Sequence, residues 1–111
     1  MSLYDKMQSA MDGNDFDAVA ELYHQDYTFV RHQSGVCVPR SEWLPMMKSM
    51  FESDKFEMHS NRCLYENDEI LAMHSIISFP DGTSEAVLAV HRLKDGMIHT
   101  TETGATPIEK V

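Results

Sequence analysis

A histidine and a carboxylate that share an apolar sheet face can pass a proton between them, and His74 and Glu102 are placed to do so by the turn signals around them. Asp81-Gly82 and Asp95-Gly96 are signals for two-residue hairpin loops, because such loops require positive φ. Taken so, His74 lies opposite Ala89 and Ala89 opposite Glu102; a loop at Asn67-Asp68 adds Asn61 opposite His74. The expected row is Asn61, His74, Ala89 and Glu102, and the next is Cys63, Ala72, His91 and Thr100. The opposite face would carry Met58, Ser60, Arg62, Leu71, Met73, Ile77, Leu88, Val90 and Thr101. His74 then reads as base or hydrogen-bond donor, Glu102 as its acidic counterpart, Asn61 as an orienting group and His91 as a ligand contact. His74 and Glu102 stand two strands apart, roughly 10 Å, so side chains or a ligand must bridge them. A plainer reading lets Asn61 and His74 satisfy each other beneath helices while Glu102 reaches solvent. A slip of one residue in any strand inverts its faces.

The elements that must hold this row fall into two halves. Ser2 with Asp5 resembles a capping box, and Leu3, Met7, Ala10 and Met11 then share a helical face ended by Asp12-Gly13. Asn14 reads as the N-cap of a second helix striped by Phe16, Val19, Ala20 and Tyr23. Trp43, Met46, Met47, Met50 and Phe51 make the stripe of a third helix behind a Ser41 cap, with Pro45 in its first turn. Tyr27 to His32 reads as a strand and Ser34 to Pro39 as a short return strand. Residues 56–65, 69–79, 84–94 and 97–103 read as four long strands in an antiparallel meander. The expected fold is α+β: a curved antiparallel sheet of four long strands plus a short N-terminal strand or hairpin, packed against three helices. No linker or repeat divides residues 1–111, so a single domain is expected.

Three helices cover one sheet face. The other face also carries apolar residues, which predicts a homodimer through the outer sheet face. Among the nine methionines, five lie on the helix stripes; with Trp43 and Tyr23 they read as core, or as an adaptable apolar wall in which Tyr23, Trp43 and Met47 touch a ligand. The six histidines show no H-E-x-x-H or H-x-H spacing, so neither metal nor cofactor is expected. There is no G-x-S-x-G, P-loop or glycine-rich dinucleotide motif. Cys37 and Cys63 could join in a lone disulfide, but reduced thiols of a cytoplasmic protein are the more economical reading. Eighteen Asp and Glu against nine Lys and Arg give a formal charge of −9, which argues against nucleic acid and anionic membrane surfaces as partners. The first residues have no basic lead or apolar run of a signal peptide, which points to the cytoplasm.

Gly13-Asn14-Asp15-Phe16-Asp17, the helix end Leu22-Tyr23, the strand Tyr27-Thr28-Phe29-Val30, the helix at 41–52 and the closing segment Val90 to Ile98 with its Asp95-Gly96 turn resemble the nuclear transport factor 2-like superfamily, in particular its SnoaL-like and ketosteroid-isomerase-like members. The resemblance implies a cone-shaped fold with a pocket between helices and sheet, commonly in a homodimer. It covers isomerases, dehydratases, epoxide hydrolases, polyketide cyclases and non-catalytic domains, so function does not follow from it. The isomerase tyrosine would fall near Met7, its general base near Arg31 to Gln33 and its oxyanion aspartate near Ala89, and none of these matches. His32 stands as a substitute base. Glu102 falls where SnoaL-like members often place an aromatic or acidic residue in the last strand. The expected function is binding of a small apolar molecule, with cofactor-free lyase, isomerase or hydrolase chemistry. The alternative is a non-catalytic dimeric binding or accessory domain.

Overall fold

The computed structural model describes residues 2–31 and 34–109. Three helices, α1 (Leu3–Asp12), α2 (Phe16–Ala20) and α3 (Arg40–Glu52), pack on one face of a single sheet. Its strands are β1 (Tyr23–Arg31), β2 (Val36–Pro39), β3 (Glu57–Glu66), β4 (Ile70–Ser78), β5 (Ser84–Lys94) and β6 (Met97–Ile108), in the order β2-β1-β6-β5-β4-β3. All pairs are antiparallel except β1 with β6. This is the α+β architecture expected, an unclosed curved sheet of six strands with an N-terminal hairpin, β1/β2. The core between helices and sheet is built from Leu3, Met7 and Ala10 of α1, Val19 of α2, Met47 of α3, and Tyr23, Tyr27, Leu71, Met73 and Ile98 of the sheet.

Local signals explain most helix ends. The Ser2 hydroxyl accepts from the Asp5 N–H at 3.1 Å, as the capping pattern predicts. A second anchor arrives from β3. The Glu66 carboxylate accepts from the N–H groups of Leu3 at 2.9 Å and Tyr4 at 3.3 Å, meeting donors that a helix cannot satisfy itself and opposing its positive end. Other ends differ from the sequence reading. Gly13 keeps a right-handed φ of −81° and Asn14 takes the left-handed one at 51°, so Asp15 becomes the cap of α2 and accepts from the Ala18 N–H. Helix α2 stops at Ala20, and Tyr23 opens β1 instead of lying on a helical stripe. Helix α3 starts at Arg40 behind Pro39, so Ser41 is inside it and Pro45 lies beyond its first turn. Met46 is 49% exposed, outside the inward stripe. Cys37 and Cys63 are free, exposed thiols on β2 and β3, at opposite edges of the sheet.

The expected register is corrected on three strand pairs. Phe79 and Thr83 close a three-residue loop, Pro80-Asp81-Gly82, with Gly82 at φ 90°, so Ser78 pairs with Ser84 and His74 with Leu88. Asp95-Gly96 is the two-residue turn expected, both residues at positive φ. An extra residue, His99, then bulges from β6 and moves Glu102 opposite Val90. Two further bulges, at His59 and Leu64, adjust β3 so that Asn61 meets Ser75. The net effect is to invert β4 and β6. Leu71, Met73, Ser75 and Thr101 are buried toward the helices, while His74 and Glu102 share the opposite face with Leu88 and Val90. Asn61 and His91 keep the helix side.

Candidate functional site

The polar row therefore does not form as expected. His74 pairs across the sheet with Arg62 and Leu88, and Glu102 with Val90 and Val30, all on the face away from the helices. His32 lies outside the described residues. The proposed acid–base pair of His74 and Glu102 is thus on the wrong side of the sheet to act inside the cup. The loop length after β4 and the bulge in β6 are the physical reason.

What faces the helices is a different set. His91 on β5 is 7% exposed, and its Nδ1 lies 2.8 Å from the Thr101 hydroxyl on β6. Burial pushes its imidazolium form down to a pKa of about 4, so the ring is neutral near pH 7. The same cross-strand row continues from Leu71 through His91 and Thr101 to Phe29. Phe29 stacks on Trp43 of α3, with ring centres 4.5 Å apart and planes 11° from parallel. Tyr27 stands edge-on to Tyr23 at 4.7 Å, and the Tyr23 hydroxyl points to the Met47 sulfur at 3.8 Å. Burial raises both tyrosines, Tyr23 to about 12, so both hydroxyls are protonated donors. The Thr101 hydroxyl lies beside the Tyr27 oxygen, and the Trp43 indole beside Tyr23, without the alignment of a hydrogen bond. The Tyr27 hydroxyl and the Trp43 Nε1–H are accordingly buried and unpaired, each at a cost of about 1–3 kcal/mol.

Toward the mouth of the cup, α1, the end of α3 and the start of β3 enclose a cleft of about 380 Å³. Met11, Phe51, Phe56 and Met58 supply its apolar walls, and its polar lining includes Gln8, Asp12, Asn14, His59 and Asn61. Asn61 is fixed at both ends of its amide. Its Nδ2 donates to the Gln8 carbonyl on α1, and its Oδ1 accepts from the Ser75 hydroxyl at 2.8 Å. The Tyr4 hydroxyl adds a 2.9 Å bond to the Asn61 carbonyl oxygen. Helix α1 is thereby locked to β3, which defines one wall of the cleft.

A second, shallower depression of about 610 Å³ lies at the other end, between Glu21, Tyr23, His24, Arg40, Asp95 and Met97. There the buried His24 accepts from the Asp26 N–H through Nδ1 at 3.0 Å, which leaves the proton on Nε2, 3.6 Å from the Asp95 carboxylate. This arrangement ties the β5–β6 turn to β1. Among the described residues no three His, Cys, Asp or Glu side chains gather as metal ligands, and no described helix is long and apolar enough to cross a membrane.

Of the residues singled out from sequence, Asn61 is at the cleft, and His91, Tyr23, Trp43 and Met47 are at the floor of the cup. Tyr27, Thr101, Ser75 and Gln8 were not foreseen as site residues. Tyr27 carries only a β-strand signal in sequence, and the faces of Thr101 and Ser75 depend on the loop and bulge that no local motif announces.

The fold has many solved counterparts. A nuclear transport factor 2-like protein of unknown function from Burkholderia xenovorans LB400 is 17% identical, with a TM-score of 0.74 over 98% of this chain and 84% of that one. A putative ketosteroid isomerase from Kribbella flavida DSM 17836 is 14% identical, with a TM-score of 0.75 over 98% and 78%. AclR, a putative hydroxylase from Streptomyces galilaeus, is 14% identical, with a TM-score of 0.71 over 94% and 86%. At these identities the likeness is one of fold. No curated protein matches the chain in sequence. Residues 4–100 match the SnoaL-like domain, and with the cone-like cup between helices and sheet now described, the chain belongs to the SnoaL-like domain family.

Proposed function

We propose that the protein binds a small, largely apolar molecule in the cleft between α1, α3 and β3, holding one polar group of that molecule with Asn61. The observation that carries this reading is the cleft itself: about 380 Å³, with apolar walls from Met11, Phe51, Phe56 and Met58 and a polar rim in which the Asn61 amide is anchored at both ends. An amide NH2 has two donor hydrogens, and Gln8 takes one. Fold neighbours named as a putative ketosteroid isomerase and a putative hydroxylase support a small organic molecule as the occupant. If the molecule is turned over, by lyase, isomerase or hydrolase chemistry, the histidine that lines the cleft is His59, while His91 is buried deeper in the cup. His74 and Glu102 face away. A titration with the neutral apolar dye Nile red should give saturable fluorescence enhancement. Asn61→Ala and Phe56→Ala should each weaken it about tenfold, about 1.4 kcal/mol, whereas Leu64→Ala should not. Equal binding by all four proteins would remove the cleft from the reading.

A second observation favours self-association. Val30, Ile70, Ala72, Ile76, Leu88 and Val90 line the sheet face that the helices leave uncovered, and Leu88 is 43% exposed. We infer a homodimer through this face. Sedimentation at micromolar concentration should show a dimer for the wild-type chain and a monomer for Leu88→Asp; a wild-type monomer refutes it.

A further inference from the structure

We propose that Ser78, His59 and Glu57 form a nucleophile–base–carboxylate relay that takes an acyl group from an activated ester or thioester, at the end of the sheet beside the cleft that His59 also lines. The geometry is that of a hydrolytic triad. The Glu57 Oε2 lies 2.7 Å from the His59 Nδ1, and the His59 Nε2 lies 2.8 Å from the Ser78 Oγ. The carboxylate accepts a hydrogen bond from the Nδ1–H, which leaves the Nε2 lone pair to accept from the Ser78 hydroxyl. The Ser84 hydroxyl, 2.8 Å from Ser78 Oγ, is then the donor in its pair and holds the nucleophile from the third strand.

The backbone explains why three residues from two strands meet. Glu57 pairs directly with Ser78 across β3 and β4. Strict alternation would send the side chain of residue 59 to the face shared by 57 with one intervening position, too far along the strand to reach Ser78. The bulge at His59 removes that separation by leaving the residue out of the pairing, so that its ring folds back between Glu57 and Ser78. The relay is open to reagents: the His59 and Glu57 side chains are 29% and 66% exposed. It sits at the end of the sheet, four residues along β4 and β5 from the His74–Leu88 pair, about 13 Å from the centre of the uncovered face.

In the reaction, the Ser78 Oγ attacks the acyl carbon while His59 Nε2 takes its proton. The bond to the leaving alkoxide or thiolate breaks, and the imidazolium returns the proton to it. Glu57 keeps the ring oriented and stabilises its positive charge. Water, activated by the same nitrogen, then releases the carboxylic acid and restores Ser78.

p-Nitrophenyl acetate tests this directly. The folded chain should release a burst of p-nitrophenolate equal to the protein present, and fragmentation mass spectra should place the acetyl group on Ser78. Ser78→Ala should abolish the burst. His59→Gln should slow it about 10²-fold, and Glu57→Gln should slow it less while the adduct stays on Ser78; far-ultraviolet circular dichroism checks that each variant is folded. Should His59→Gln fail to fold, Glu57→Gln and Ser78→Ala carry the test. An adduct found only on Ser84 or on lysines, a burst unchanged in Ser78→Ala, or no faster reaction than in urea-unfolded protein would each overturn the proposal.

Discussion

Acidifying the protein from about pH 7 to about pH 4 should cost about 3 kcal/mol of stability through His91 alone. The ring is 7% exposed, bonded to Thr101 and held neutral, with its pKa lowered from 6.5 to about 4 by burial. In the unfolded chain the same ring protonates at its ordinary value. Between those two values the unfolded state binds more protons than the folded one, so stability rises with pH across that window. The full contribution is present above about 6.5 and is lost as pH falls toward about 4. Other acid-labile groups add to the slope, which makes a difference measurement necessary. Urea unfolding of the wild type and of His91→Gln, compared at steps across the window, isolates the term. The variant should lose the His91 part of the slope. Parallel slopes in both proteins would show that His91 is solvated in the native state.

Leu71→Ala should destabilise the protein by about 2–5 kcal/mol, a large share of the 5–15 kcal/mol typical of a small domain. Leu71 has no exposed surface and stands on β4 beside His91, in the core that α1 and α3 close. Truncation removes its burial and leaves a cavity that rigid sheet neighbours cannot fill. Leu64→Ala, at a residue 47% exposed, should change stability by less than about 0.5 kcal/mol. Denaturant midpoints at unchanged slope measure both. The pair also tests the register. With a two-residue loop at Asp81-Gly82, Leu71 would point outward and its loss would be mild.

That loop shows where sequence reading stops. Helix α1, its Ser2 cap, the meander and the Asp95-Gly96 turn were legible because each rests on contacts within a few residues. Whether Asp81-Gly82 spans two residues or three is decided by the fit of Phe79 against Thr83 and by the packing of a whole strand, and no local pattern reports it. The bulge at His99 is equally silent, yet together the two features put His74 and Glu102 outside and Leu71 and Thr101 inside. Asn61 and His91 kept their faces because β3 and β5 were not inverted. The contact of Glu66 with the first turn of α1 spans 63 residues and has no sequence signature at all.

The margins of the sheet carry a consequence of their own. One border strand, β2, has four residues and ends in Pro39, which offers no N–H; the other, β3, is broken by two bulges. A foreign strand seeking to extend the ladder finds at either border only a few aligned donors and acceptors before the pattern is lost. Lateral growth into fibrillar stacks is thereby discouraged, despite an exposed run of β-forming residues. The concentration at which this protein stays dispersed is set by its faces and its charge, not by its borders.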